Sequence, residues 1–143
     1  MIDVHVNEAQ RVGVSVEEVE RAVRETLSSE GIAEGEISVT FLSDARIREL
    51  NQRYLDHDLP TDVLSFALHD EGEPILGDVY IGADHALRQA SELGLPPEEE
   101  VARLAIHGAL HVLGYQHPEG EEREGSELFR KQEIILRRVR RSV

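Results

Sequence analysis

Hydrophobic and polar residues alternate in two segments of the N-terminal third of the chain, and a period of two is typical of half-buried β-strands. These segments are residues 2–6 and 36–42. Two later segments are also predicted as strands: 63–68, whose almost continuous apolar run indicates a central strand, and 76–81. The pattern therefore predicts a sheet of about four strands.

Apolar positions three and four residues apart predict amphipathic helices around these strands. Ser15, Ser43 and Asp84 each stand where a polar side chain can cap a helix, and the three helices are expected to end near residues 29, 55 and 94. A last amphipathic helix follows an acidic segment at 118–125. Strands and helices mixed in this order predict an α+β fold, with a mixed sheet on one side and helices grouped around a central helix on the other.

The central helix is predicted from the longest apolar run, 101–113, which follows two prolines and three glutamates that suit a helix N-terminus. It carries His107 and His111, four residues apart. This spacing puts them about 40° apart around the axis and about 6 Å apart along it, so both imidazoles leave the same face. Gly114 can end the helix in the left-handed conformation and bring His117 back toward the pair.

Three histidines at this spacing, with a glycine before the last, match the ligand frame H-E-x-x-H-x-x-G-x-x-H of the metzincin proteases. A single histidine in an apolar helix is more commonly a hydrogen-bonded core residue, but the complete spacing favours metal binding. With an open fourth position, His107, His111 and His117 describe a catalytic zinc site. The protease chemistry is missing, because Gly108 replaces the glutamate general base and Met1, the only methionine, cannot form a Met-turn.

The 143 residues carry a net charge of −14 and contain no cysteine. The length suits a single domain over 1–143, and without thiolates a transition metal must be held by histidine, carboxylate or water. The negative charge argues against a protein that coats DNA or RNA through a broad basic surface. The sequence shows neither a secretory leader nor an apolar run of membrane length, so a cytoplasmic protein that binds no membrane is expected.

Basic residues cluster near the C-terminus, at Arg130, Lys131, Arg137, Arg138, Arg140 and Arg141. A solvated helix face whose cations complement the helix dipole explains them better than an RNA-binding role, which stays the alternative. The chain has no tryptophan and few other aromatic residues on which bases could stack. Sequence-specific reading of RNA is therefore not expected.

Four segments together resemble the YbeY family of bacterial rRNA-processing metalloproteins, and they span almost the whole chain. These segments are Asn51-x-x-Tyr54, Pro60-Thr-Asp-Val-Leu-Ser-Phe66, Gly77-Asp78-Val79 and His107-Gly-x-Leu-His111-x-x-Gly-Tyr-x-His117. The resemblance implies a zincin-like fold and a cytoplasmic, zinc-dependent endoribonuclease that acts on single-stranded RNA. It also implies a role with the small ribosomal subunit, in maturation of the 3′ end of its rRNA and in ribosome quality control.

The family's metal ligands fall on the three histidines of the last segment, which implies one zinc ion per chain. Two positions depart from the family pattern. Leu55 stands where an arginine associated with RNA cleavage is usual, and Gln116 where aspartate is usual, although its amide keeps a carbonyl oxygen that can accept a hydrogen bond. Arg53 is a poor substitute for the missing arginine, since residues two apart on a helix point to opposite sides.

Four further residues are candidates for roles around the metal. Asp62 and Asp78 can each accept a hydrogen bond from a ligating histidine, as carboxylates commonly do. An Asx turn or cap is an equal alternative for Asp62, and a turn is the favoured interpretation of Asp78. Thr61 and Ser65 can donate to a phosphate, although strand-edge hydroxyls more often bond the local backbone.

Three neutral imidazoles leave the double charge of zinc uncompensated, which favours an anionic ligand such as a phosphodiester. Zinc also lowers the pKa of a bound water to about 7, so the missing glutamate is tolerable. The sequence leaves two nucleophiles open, a hydroxide and the 2′-hydroxyl of the RNA. A metal-dependent endoribonuclease is the preferred function; a zinc hydrolase of another substrate and a ribosome-assembly factor with a structural zinc are the alternatives.

Overall fold

The computed structural model describes residues 1–9, 11–55, 62–115 and 127–141 and, of Leu55, only the backbone. The strands are β1 (Ile2–Glu8), β2 (Gly35–Leu42), β3 (Val63–Ala67) and β4 (Ile75–Gly82). The helices are α1 (Val16–Ser29), α2 (Asp44–Leu55), α3 (Ala83–Leu93), α4 (Pro97–Val112) and α5 (Glu127–Arg141). The predicted α+β class and four-stranded sheet are confirmed, whereas the single domain over 1–143 stays a prediction.

The sheet is mixed and its strand order is β1-β2-β4-β3. β1, β2 and β4 run parallel, with Val4 opposite Ile37 and Val39 opposite Val79. β3 runs antiparallel to β4 and forms one edge of the sheet. The parallel neighbours β1 and β2 are joined through α1, as a parallel pair requires a crossover connection.

The position of β3 corrects the prediction of a central strand for 63–68, because β3 lies at the edge. The apolar run of β3 is explained instead by the burial of both of its faces. Val63 packs into the main core, whereas Leu64 and Phe66 belong to a separate apolar cluster. Burial on two faces gives a continuous apolar run wherever the strand lies in the sheet.

The main core lies between one face of the sheet and helices α1 and α4. Fully buried residues from the sheet are Ile37, Val39, Phe41, Val79 and Ile81, and those from the helices are Val23, Leu27, Val101, Ala105 and Ala109. α4 contacts α1, α3, α5, β3 and β4, so the predicted central position of this helix is confirmed.

The prediction that the helices lie on one side of the sheet is wrong for α2. Ile47 of α2 packs with Leu42 and Leu64, and Phe66 and Tyr80 lie against the same cluster. The strand register places these sheet residues on the face opposite the main core, since Leu64 pairs with Tyr80. An apolar patch on that face needs its own cover, and α2 provides it.

Two of the three predicted helix caps are confirmed. The Ser15 side chain accepts from the Glu18 N–H at 3.3 Å, and the Ser43 side chain accepts from the Arg46 N–H at 3.3 Å. Asp84 is not a cap, because β4 leads directly into α3 at Ala83 and Asp84 already lies in the first helical turn. Its carboxylate instead accepts from the Asp44 N–H at the start of α2, at 3.3 Å. None of the helices in the described part of the chain combines the length and apolar character needed to cross a bilayer.

Candidate metal centre

Helix α4 places the histidine pair near its C-terminal end. Pro97 occupies its first turn together with three glutamates, and the last helical residue is Val112. Gly114 has a positive φ of 107°, as predicted for a helix-ending glycine, and its N–H donates to the His111 carbonyl at 3.0 Å. His111 therefore lies in the final turn, where the chain leaves the helix.

The imidazoles of His107 and His111 converge. Their Nε2 atoms are 3.1 Å apart, the ring centroids are 4.6 Å apart, and the ring planes are inclined by 71°. Two nitrogens bound to one tetrahedral zinc ion at the usual bond length lie about 3.3 Å apart. The prediction that His107 and His111 leave the same face of α4 is confirmed, and the separation of their nitrogens fits a shared zinc ion with little movement. The convergence of His117 on the pair and the role of all three as ligands stay predictions.

Three of the predicted site residues, Thr61, Gln116 and His117, lie outside the described residues. The described part of the chain holds no cluster of three or more residues able to ligate a metal. The structure therefore provides two converging imidazoles, and the third ligand rests on the spacing in the sequence.

Gln132 of α5 is the site residue that the sequence analysis missed. Its Oε1 lies 2.6 Å from His107 Nδ1, and the residue is only 4% exposed. A signal was present in the sequence, since Gln132 lies four residues from both Leu128 and Leu136 on the apolar face of α5. A polar residue in an otherwise apolar stripe requires a buried partner, and the partner here is a candidate metal ligand.

The Gln132 contact continues to a charged pair. Gln132 Nε2 donates to Glu133 Oε2 at 3.0 Å, and Arg103 of α4 donates to the same carboxylate, from Nε to Oε2 at 2.9 Å. Burial acts to raise the pKa of Glu133, but the hydrogen bonds from Arg103 and Gln132 outweigh it and hold that pKa below its usual value. Glu133 is therefore an anion beside Gln132 at neutral pH.

Gly108 faces the sheet rather than the histidine pair. A Cβ at this position would lie 2.5 Å from Val79 Cγ1, 3.1 Å from Ser65 Oγ and 3.2 Å from Val63 Cγ2. A glutamate in the place it occupies in zinc proteases would therefore collide with β3 and β4. The packing of α4 excludes the protease general base at this position, in agreement with its absence from the sequence.

Ser65 and Asp62 lie next to this helix contact. The Ser65 hydroxyl donates to the Gly108 carbonyl at 3.1 Å, which is the local backbone bond considered as the alternative to phosphate binding. The Asp62 carbonyl accepts from the Gly82 N–H at 2.9 Å, so this backbone bond extends the pairing of β3 with β4. Whether either side chain also acts at the metal stays a prediction.

Asp78 is not in a turn, because it lies within β4. Its neighbours Gly77 and Val79 face α4, so Asp78 points to the opposite side of the sheet. There its Oδ2 accepts from the Tyr80 hydroxyl at 3.4 Å. Burial, followed by the charge of Asp78, raises the pKa of Tyr80, which keeps the phenol protonated. The structure thus separates Asp78 from the histidine pair by the thickness of the sheet.

The chain just after α4 is held by a three-residue contact. Tyr115 donates its hydroxyl to Glu30 Oε1, and Lys131 Nζ donates to Glu30 Oε2 at 3.1 Å. Lys131 Nζ also lies 5.4 Å from the centroid of the Tyr115 ring. The hydrogen bond to Glu30 and burial raise the pKa of Tyr115. This contact joins α5 and the end of α1 to the residue two places before His117.

Two of the basic residues near the C-terminus make ion pairs within the fold. Lys131 pairs with Glu30, and Arg138 Nη1 lies 3.2 Å from Glu25 Oε1 on α1. Both contacts agree with the structural interpretation of the basic cluster.

The two residues discussed in place of the family's arginine lie at the end of α2. Arg53 lies 4.0 Å from the Glu49 carboxylate. Leu55 is the last helical residue, and its side chain is outside the described part of the chain.

Comparison with known proteins adds family relationships to this geometry. The family described as Endoribonuclease YbeY matches residues 4–140. Relatives that carry the name Endoribonuclease YbeY include a Bacillus velezensis protein, 41% identical over 95% of this chain and 93% of its own length. A Geobacillus kaustophilus relative of the same name is 44% identical over 86% of this chain and 85% of its own length.

A third protein of that name, from Aquifex aeolicus, is 49% identical over 78% of this chain and 75% of its own length. Among solved structures, the solution structure of a Thermotoga maritima protein matches with a TM-score of 0.71. That protein is 28% identical to this chain, and the match covers 97% of this chain and 90% of the other. The similarity thus extends to the fold as well as the sequence.

Proposed function

The chain belongs to the endoribonuclease YbeY family, and we propose that it is a zinc-dependent endoribonuclease that cuts single-stranded RNA in the cytoplasm. The endoribonuclease activity follows from the family. The resemblance was based on four sequence segments, and the family match covers residues 4–140. In this proposal the enzyme matures the 3′ end of small-subunit rRNA and takes part in ribosome quality control. Its partner is the small ribosomal subunit. The observation that carries the proposal is the convergence of His107 and His111 at 3.1 Å.

The donor set suits zinc. His107 and His111 would hold the ion through Nε2, with His117 as the third ligand according to the sequence spacing. Zinc bound there supplies a Lewis acid and lowers the pKa of a coordinated water to about 7. Because imidazoles are neutral ligands, the positive charge of such a site is not cancelled, and it attracts a phosphodiester despite the net charge of −14.

The protein's own residues orient the imidazoles and exclude competing chemistry. Gln132 Oε1 contacts His107 Nδ1, which leaves Nε2 as the nitrogen directed at His111. The close packing of Gly108 against Val79 leaves no space for a carboxylate side chain at position 108. The site thus suits phosphodiester cleavage, in which the 2′-hydroxyl of RNA or a water can attack, better than peptide hydrolysis.

The test uses purified protein with its zinc content measured by native mass spectrometry, and an unstructured RNA as substrate. We expect one zinc ion per chain and cleavage that is lost in His111→Ala. The matched control is His5→Ala, which removes an exposed histidine of β1 paired with Glu36 and is expected to cleave like wild type. Cleavage that survives in His111→Ala would show that the activity does not come from this site and would overturn the proposal.

A second function, ribosome assembly with a structural zinc and little catalysis, is favoured by Leu55 alone. This residue replaces the family's arginine, and Arg53 lies near the Glu49 carboxylate, 4.0 Å away. A zinc-loaded wild-type protein that binds the small subunit and leaves RNA intact establishes this alternative. Hydrolysis of casein tests the remaining alternative, a zinc hydrolase of another substrate, and is not expected given the packing of Gly108.

A further inference from the structure

The buried amide of Gln132 contacts His107 on the nitrogen that faces away from His111. We propose that Gln132 is a positioning residue that holds His107 in the tautomer able to bind a metal through Nε2. We further propose that Glu133 and Arg103 fix the orientation of the Gln132 amide. The inference rests on the proposed function, because it takes His107 as a metal ligand.

The first step concerns the direction of the amide. Gln132 has one donating end, Nε2, and one accepting end, Oε1. Nε2 lies 3.0 Å from Glu133 Oε2, and an ionised carboxylate can only accept hydrogen bonds. The donating end must therefore face Glu133, and the accepting end is left facing His107.

The second step concerns the proton on the imidazole. Oε1 lies 2.6 Å from His107 Nδ1 and cannot donate, so Nδ1 carries the hydrogen. A neutral imidazole protonated at Nδ1 has its lone pair at Nε2. This is the nitrogen 3.1 Å from His111 Nε2, where a shared metal ion would be bound.

The third step concerns the rigidity of Glu133. Arg103 donates to it from Nε at 2.9 Å and from Nη2 at 3.3 Å. The same guanidinium donates from Nη1 to Glu100 at 2.9 Å, and Glu100 is only 1% exposed. Arg103 lies one helical turn before His107 on α4, so the contacts form a closed link from α4 to α5 and back to the histidine.

Water cannot easily replace the amide. Gln132 is 4% exposed and is surrounded on α5 by the buried residues Leu128, Ile135 and Leu136. A side chain without an acceptor at position 132 would remove this partner from the Nδ1–H of His107 and allow the hydrogen to move to Nε2. Loss of such a partner typically lowers metal affinity 10–100-fold.

The experiment measures zinc affinity by competition with a chelator and, separately, the imidazole tautomer of the metal-free protein by long-range ¹H–¹⁵N NMR. In wild type we expect the His107 hydrogen on Nδ1. In Gln132→Met, which has a similar length and no comparable acceptor, we expect about 10–100-fold weaker zinc binding and loss of the pure Nδ1–H signature. The matched control is Gln89→Met, because Gln89 lies on α3 and is hydrogen-bonded to Glu100, at the other end of the same network.

A charge-conserving exchange distinguishes positioning from simple packing. In Gln132→Glu combined with Glu133→Gln, the carboxylate at position 132 still accepts a hydrogen bond from His107. The amide at position 133 then donates to the carboxylate at position 132. We expect this double variant to recover zinc affinity and the Nδ1–H tautomer. The double variant also tests the proposal if Gln132→Met does not fold. A folded double variant with the His107 hydrogen on Nε2 would overturn the proposal.

The two proposals fail in different ways. Wild-type protein that binds zinc with the expected tautomer and leaves RNA intact contradicts the nuclease function and leaves the role of Gln132 standing. Wild-type protein that cleaves RNA, together with a folded Gln132→Met that binds zinc as tightly and shows the same tautomer, overturns the role of Gln132 alone.

Discussion

Val112, the last residue of α4, occupies the space that a side chain at Gly77 of β4 would fill. A Cβ on Gly77 would lie 2.5 and 2.8 Å from the two Val112 methyl groups and 2.9 Å from the Phe66 carbonyl oxygen. Because one of these contacts is backbone, rotation of a side chain cannot relieve all of them. The glycine therefore allows the C-terminal end of the histidine helix to lie directly on the sheet.

Replacement of this glycine is expected to destabilise the fold. Gly77→Ala should lower the free energy of unfolding by about 1–3 kcal/mol, the usual cost of overpacking a core. Urea unfolding followed by circular dichroism measures the change. Leu76→Ala is the control, because the neighbouring side chain is 38% exposed and its loss should cost much less. Equal stability of Gly77→Ala and wild type would contradict the observed contact.

Ser65→Ala distinguishes a structural hydroxyl from a phosphate-binding one. The hydroxyl donates to the Gly108 carbonyl, so its removal should cost about 1 kcal/mol of stability while kcat/KM for RNA is unchanged. Thermal unfolding and RNA cleavage are measured on the same sample. Ser38→Ala, a half-buried serine of β2, is the control for stability. A large fall in kcat/KM with unchanged stability would instead assign Ser65 to the substrate.

Glu30→Gln should make the stability of the protein less dependent on pH. Burial acts to raise the pKa of Glu30, but hydrogen bonds from Tyr115 and Lys131 outweigh it and lower that pKa below its usual value. A lowered pKa in the folded state contributes stability that is full above the unfolded-state value of about 4.3 and is lost as the pH falls through the folded-state value. The variant should therefore be less stable than wild type at pH 7, by about 1–2 kcal/mol, with the difference vanishing in acid.

Urea unfolding at several pH values between neutral and about pH 3 measures this difference. Glu20→Gln is the control, since Glu20 forms an exposed ion pair with Arg24 within α1. Exposed ion pairs of this type contribute little to the free energy of unfolding. A stability difference between Glu30→Gln and wild type that stays constant across this range would show that the charge of Glu30 is not responsible.

Zinc should stabilise the metal-free protein through the histidine pair. A free zinc concentration 100-fold above the dissociation constant stabilises the folded state by about 2.7 kcal/mol, which corresponds to a rise in Tm of several degrees. Differential scanning calorimetry with and without zinc measures this rise. The Tm of His5→Ala should rise with zinc as that of wild type does, whereas zinc should leave the Tm of His111→Ala unchanged. A Tm of wild type that zinc leaves unchanged would contradict binding at this site.

Local periodicity was sufficient to predict the histidine helix. The apolar run and the four-residue spacing determine which face His107 and His111 share, and the structure places their Nε2 atoms 3.1 Å apart. The Ser15 and Ser43 caps were predictable for the same reason, because each depends on residues within one turn.

The features that were predicted wrongly or missed depend on partners distant in the sequence. The apolar run of β3 does not reveal whether the strand is central or at the edge, since only its pairing with β4 decides this. The turn favoured for Asp78 is wrong, because β4 runs through this residue, in agreement with the strand predicted over 76–81. Gln132 lies 25 residues from His107, and no local pattern indicates which buried group it contacts.

The β3–β4 hairpin brings together three of the segments that resemble the family. Residues 63–66 and 77–79 belong to two of the four segments that resemble the family, and they lie on the paired strands β3 and β4, with Ser65 opposite Val79. Both residues lie beneath Gly108, which belongs to the histidine segment. Three stretches far apart in the chain thus form a single steric unit. An insertion or register shift in the hairpin would tilt the helix above it and misalign the imidazoles, even with every histidine intact.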